Sequence, residues 1–132
     1  MRKALQFIAI LLFFGCAQQV APTGGPKDET PPKILGEIPP NLSTNFTGKE
    51  IEIPFDEYIQ LRSANEQVVI SPPMLKSPTY QLKRKSLIVK FEQGLAQNTT
   101  YTINFGEAIR DNNEGNILKN YTYVFSTGAY LD

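Results

Sequence analysis

Thr99-Thr100-Tyr101-Thr102-Ile103-Asn104-Phe105 places a large apolar side chain at every second position, with small polar ones between. A period of two marks a half-buried β-strand, because successive side chains leave the backbone on opposite faces. Asn120-Tyr121-Thr122-Tyr123-Val124-Phe125-Ser126-Thr127 repeats the pattern, with Tyr121, Tyr123 and Phe125 on one face. Upstream, residues 50–58 set Ile51, Ile53 and Phe55 against Glu52, Pro54 and Asp56. Residues 79–82 and 86–91 flank Lys83-Arg84-Lys85 and read as a hairpin, with Leu87, Val89 and Phe91 aligned. Two shorter runs end at prolines: 33–38 before Pro39-Pro40-Asn41, and 67–71 before Pro72-Pro73. Pro54 lacks a ladder donor, so its strand is expected at an edge or a bulge. No window has a persuasive 3.6-residue period, although residues 60–67 have room for a helical turn. Six or seven short strands over about 95 residues predict an all-β, antiparallel β-sandwich of about 7 strands. This domain is expected over residues 33–128.

What precedes the domain has a different texture. Arg2 and Lys3 open the chain, and Ala4 to Phe14 form an apolar run broken only by Gln6. The run is too short for a hydrocarbon core of about 30 Å but has the length of a signal-peptide core. Gly15-Cys16 follows at once, as in a lipobox, where Cys16 is lipidated and the peptide is cut before it. Phe13 and Phe14 stand where lipoboxes usually carry Leu and a small residue, so the match is loose. Residues 1–15 are expected to be a lipoprotein signal peptide, and Cys16 the lipidation site. Several acyl chains at about 0.8 kcal/mol per buried methylene make such an anchor permanent. Ala17, rather than Asp, after the Cys resembles the pattern of lipoproteins sorted to the outer membrane, which implies that destination.

Residues 16–32 are expected to be the lipidated Cys and a flexible linker. The stretch 17–32 carries four Pro and two Gly with almost no large apolar side chain. Extended at roughly 3.1 Å per residue, it would reach on the order of 50 Å from the lipid. Lys27-Asp28-Glu29 reads as a solvated charge cluster within it.

Composition narrows the function. Basic and acidic residues number 13 each, and loss of Arg2 and Lys3 with the leader leaves a slightly acidic body. No broad positive field exists to draw in nucleic acid, so no nucleic-acid partner is expected. The chain has no His, which removes the usual general base and the commonest metal ligand. Its one Cys permits no internal disulfide.

Five segments appear in a fixed order: Thr23-Gly24-Gly25-Pro26-Lys27-Asp28, Ile53-Pro54-Phe55-Asp56-Glu57-Tyr58-Ile59, residues 98–106, Asp111-Asn112-Asn113-Glu114-Gly115-Asn116, and Tyr123-Val124-Phe125-Ser126-Thr127-Gly128. Together they resemble the amino-terminal part of Bacteroidota lipoproteins with a bacterial Ig-like domain of the S-layer-protein (SbsA) type. The resemblance implies an Ig-like sandwich, no catalytic residues, and relatives that continue beyond Asp132. Loose lipoboxes are common in that group.

Four constellations are candidates for chemistry. Asp111, Asn113, Glu114 and Asn116 form the most site-like stretch, a weak metal loop at best. Its spacing does not fit an EF-hand, and Asn, Asp and Gly also favour turns. Asp56 and Glu57 suggest a carboxylate pair, but strand neighbours point to opposite faces, and solvated charges are the better reading. Lys83-Arg84-Lys85, with Lys76 and Lys90, would attract an anionic glycan or lipid, yet a basic hairpin tip is more often a solubilising feature. Tyr58, Tyr80, Tyr101, Tyr121, Tyr123 and Tyr130 invite sugar stacking, but most lie at core-facing positions. The Asn-X-Ser/Thr triplets at Asn41, Asn45, Asn98 and Asn120 carry no meaning in a bacterial lipoprotein.

The sequence thus predicts a non-enzymatic, outer-membrane-anchored lipoprotein with no cofactor. Its partners are expected to be the membrane, through the lipid, and a protein or glycan of the cell envelope. A cell-surface carbohydrate-binding or adhesion module is the alternative.

Overall fold

The computed structural model describes Gly15 and residues 26–132. Cys16 and the expected signal peptide lie outside the described residues, apart from Gly15.

Eight strands and one helical turn make up the domain: β1 (Glu50–Pro54), β2 (Ile59–Leu61), α1 (Ala64–Gln67), β3 (Val69–Ser71), β4 (Thr79–Lys83), β5 (Ser86–Lys90), β6 (Thr100–Asn104), β7 (Ile109–Asp111) and β8 (Thr122–Ser126). They pair antiparallel in the orders β1-β5-β4, β3-β6-β8 and β2-β7. The expected all-β sandwich is present.

Three readings need correction. Residues 33–38 do not form a ladder; they touch β1 only through isolated bridges, Ile34 to Phe55 and Ile38 to Glu52. The run expected over 50–58 ends its ladder at Pro54, and Asp56 and Glu57 occupy a bend. β2 and β7 were not expected: each spans three residues, too few for a period to register, and β2 takes the first part of the stretch read as helical. Only Ala64–Gln67 is helix there.

Pro54 stands where its missing donor costs nothing. Phe55 N–H donates to Lys85 of the β4–β5 turn, and Glu52 N–H donates to Ile38. Backbone groups alternate along a strand, so the nitrogen of Pro54 faces away from β5, toward the sparse contacts with residues 34–38.

The core is the meeting of the expected inward faces. Ile51, Ile53, Leu87, Val89, Ile103, Phe105, Tyr123 and Phe125 are fully buried, with Phe55 nearly so. Phe125 is the hub: its ring lies 4.5 Å from Phe46, 5.4 Å from Tyr101, 5.6 Å from Phe91 and 6.0 Å from Tyr123, centroid to centroid. Residues 33–46 run along one side of the sandwich. They bridge to β1 first and then to β8, where Phe46 N–H donates to Ser126 and Ser126 N–H to Ser43. The outer edges of β1 and β8 are thereby occupied.

Two tyrosines fix that strap. Tyr123 Oη donates to the carbonyl of Pro39 at 2.6 Å, and Tyr121 Oη to the carboxylate of Glu37. Burial pushes the Tyr123 phenol up to about 12, helped by the charge of Glu37. Burial alone raises Tyr80 to about 12. Burial and Glu37 also drive Tyr121 upward. A raised native value means that the folded state holds the proton more tightly. The stabilisation is therefore complete below the ordinary phenol value of 10.0 and is lost as pH rises toward about 12. The urea midpoint is expected to hold to about pH 10 and then fall, with a shallower fall in Tyr123→Phe. Equal slopes in the two proteins would contradict this.

Candidate functional site

Asp111 is the last residue of β7 and points inward, 1 % exposed. A buried carboxylate needs donors, and the loop after it supplies them. Asp111 Oδ1 accepts from the N–H groups of Glu114 (2.7 Å) and Gly115 (2.8 Å), and Oδ2 from Asn116 N–H (3.1 Å). Gly115 sits at φ +77°, in the left-handed region that lets the loop curl over the carboxylate. Burial alone would raise the carboxyl, but the donors on Gly115, Glu114 and Asn116 hold it below its ordinary value.

The loop also takes hold of the chain that enters the domain. Asn116 Nδ2 donates to the carbonyls of Asp28 (2.8 Å) and Thr30 (3.4 Å). Lys33 N–H donates to Asp56 Oδ1, and Asp56 N–H to the carbonyl of Lys33. Pro32 is fully buried. Residues 28–32, read in the sequence as the end of a linker, thus lie against the domain.

Docking this segment gathers negative charge. Carboxylate oxygens of Asp28, Asp111 and Glu114 lie within 4.8 Å of one another. Glu57 is nearby: burial raises its pKa first, and the charges of Asp111, Asp56, Asp28 and Glu114 add to the rise. Of the four residues expected in a metal loop, Asp111 and Glu114 come together. Asn116 instead turns its amide nitrogen toward main-chain carbonyls, and Asn113 is exposed. Asp28 is the member that spacing could not supply, because it lies far upstream; the ordered motif ending at Asp28 was the one hint. Two carboxylates of this trio are exposed, and Asp111 already accepts three N–H donors. The arrangement is that of a loop folded on a buried carboxylate.

The other candidates disperse. Asp56 serves as the partner of Lys33 N–H, and the charged groups that act on Glu57 are other carboxylates. Lys83, Arg84 and Lys85 are exposed at the hairpin tip, with Lys85 Nζ lying 5.5 Å from the centroid of the Tyr58 ring. Tyr101 and Tyr123 are buried, and Tyr80 and Tyr121 are half-buried. Of the exposed pair, Tyr58 lies near Asn112, whereas Tyr130 is two residues from Asp132, whose N–H donates to Thr100 at the far end of β6. No tyrosine platform results. A cleft of about 550 Å³ lies at that far end, lined by Phe46, Phe91, Leu95, Lys49, Gln93 and Thr127 among others.

The order of strands, the strap along one side and the three-point grip of Asp111 define the domain. A sequence profile of the bacterial Ig-like domain matches residues 28–127, nearly the whole described region. The chain belongs to that family. The match begins at Asp28, the first residue of the docked segment.

Comparison with curated proteins finds no match to this bacterial Ig-like chain. Among solved structures, it resembles PcoC, a methionine-rich copper resistance protein from Escherichia coli, at 16 % identity and a TM-score of 0.50, over 74 % of this chain and 98 % of that one. An L,D-transpeptidase from Mycobacterium smegmatis is similar at 12 % identity and a TM-score of 0.47, over 75 % of this chain. The chain spans 41 % of that transpeptidase's length. At such identities the PcoC likeness speaks to the fold alone, and the transpeptidase likeness carries no argument. No helix among the described residues is long and apolar enough to cross a membrane.

Proposed function

We propose that this protein is an outer-membrane lipoprotein of the Bacteroidota type, anchored through Cys16, whose Ig-like domain of the SbsA type is a non-catalytic structural and interaction module. The observation that carries the reading is the way the chain enters the domain. The last residues of the Pro- and Gly-rich stretch dock at the end bearing Asp56 and Asp111, while Asp132 lies at the opposite end of β6. An anchor at Cys16 would hold the acidic end toward the lipid and present the far end outward. The short apolar leader, Gly15-Cys16 and Ala17 support the anchor itself. Non-catalytic use fits carboxylates that serve as backbone acceptors, as Asp111 and Asp56 do.

The saccharide-binding alternative has less support, because the tyrosines that would stack sugars serve the core or lie at separate ends. Metabolic labelling with a palmitate analogue tests the anchor. Label is expected on the wild type and absent from Cys16→Ala, which should also leave the membrane fraction. Equal labelling of both proteins would refute lipidation at this position.

A further inference from the structure

Residues 33–46 cover the outer edges of β1 and β8, whereas among the described residues no strand pairs with the outer edges of β4 and β3. The β4 edge is the longer, at five residues, and is free of Pro. Its hydrogen-bonding phase follows from the register. Phe55 bonds Lys85, and Phe91 bonds Lys49, so odd-numbered residues of β5 serve β1. Ser86, Ile88 and Lys90 therefore serve Lys83, Gln81 and Thr79 of β4. The N–H and C=O groups of Tyr80 and Leu82 point outward, a ready template for another strand.

Beside this edge runs a groove of about 190 Å³ between β4 and β3, walled by Val68, Ile70, Pro73, Met74, Pro78 and Tyr80. Apolar surface continues past it: Val69 is 62 % exposed, Leu82 42 % and Leu75 entirely so. The edge is also basic. Lys83, Arg84 and Lys85 are exposed at its tip, and Lys76 precedes it. The acidic residues adjoining it are Glu92, engaged by Thr79, and Glu66 on the helix that forms one wall.

We infer that the β4 edge is a docking site for an extended, acidic segment of a partner protein, which pairs with Tyr80 and Leu82 and drops alternate apolar side chains into the groove. This deepens the reading of the domain as an interaction module and is independent of the anchor. Strand addition supplies main-chain hydrogen bonds, and the groove supplies selection at every second residue. Charge selects the partner. The β4 strand carries Lys83 and no acidic residue, so a second copy would bring only more cations to the seam; an acidic strand neutralises them instead.

The probe is a blocked peptide of about seven residues alternating Glu with Val, the span of an ordinary strand. It is titrated by fluorescence anisotropy against the full chain in neutral detergent. Binding is expected, weakening as salt rises, and absent for the same peptide with Lys in place of Glu. N-methylation of the peptide on alternate residues should abolish it. Leu82→Pro removes an outward donor without touching the pairs to β5, and Lys76→Glu with Lys83→Glu reverses exposed charges only. Each is expected to weaken binding about tenfold or more. Equal binding of the Glu and Lys peptides, binding indifferent to all these changes, or no binding at all would overturn the proposal. So would dimerisation of the chain lost in Leu82→Pro, which would make a second copy the occupant. Palmitate labelling of Cys16 is unaffected by any of these outcomes, so the anchored-module reading stands or falls separately.

Discussion

Replacing Phe125 by Ala is expected to destabilise the domain by about 3–5 kcal/mol, the range for removing a buried aromatic side chain. Phe125 is fully buried and its ring is shared by Phe46, Phe91, Tyr101 and Tyr123. These rings come from β6 and β8, from the strap and from the segment after β5, so no single element can collapse into the space. Losing them also removes aromatic pair energies of about 0.5–1.5 kcal/mol each beyond burial. Domains of this size have stabilities of roughly 5–15 kcal/mol, so the variant should be partly unfolded at ordinary temperature or melt far below the wild type. Chemical denaturation checks the size of the loss. Tyr130→Ala, at a position 82 % exposed, is the control and should change little. A loss below about 1 kcal/mol in Phe125→Ala would mean that the sheets meet elsewhere.

Asp111→Ala is expected to cost about 3 kcal/mol, from two contributions. Hydrogen bonds to a charged acceptor are each worth about 1.5–3 kcal/mol and are not additive, and three N–H groups would be left without their partner. The loop would then release Asn116, and with it the carbonyls of Asp28 and Thr30. Limited proteolysis between residues 26 and 33 should therefore accelerate in the variant while the core strands stay protected.

Acid has a related effect. Because the native carboxyl is held below its ordinary 3.8, the stabilisation is complete above that value and is lost as pH falls through the native one. Glu57 acts in the opposite sense: its native value is raised above 4.5, so its share is present below that pH and is lost as pH rises through the native value. In Asp111→Asn the acid limb of the stability curve should flatten. An unchanged acid limb would show that Asp111 is not what acid attacks.

The strands with long alternating runs were legible because burial on one face imposes a period of two on the residues themselves. Ile51, Ile53, Leu87, Val89, Tyr101, Ile103, Tyr123 and Phe125 read as inward from spacing alone, and all are buried. β2 and β7 were not legible. Each has three residues, and β7 turns the carboxylate of Asp111 inward where the pattern calls for an apolar side chain. Such a position is stable only because the following loop supplies donors, and donors on a loop backbone leave no mark in residue type.

What the sequence by itself determined is local: the period of each long strand, the hairpin and the edge position of Pro54. What only the tertiary structure decided is the pairing of segments far apart in the chain. The grip of Asn116 on Asp28 and Thr30, the gathering of Asp28, Asp111 and Glu114, and the choice of which sheet edges are strapped and which stay open all belong to it. The physical reason is that side-chain alternation is set by neighbours along the backbone, whereas a contact between residues 28 and 116 is set by how the whole core closes.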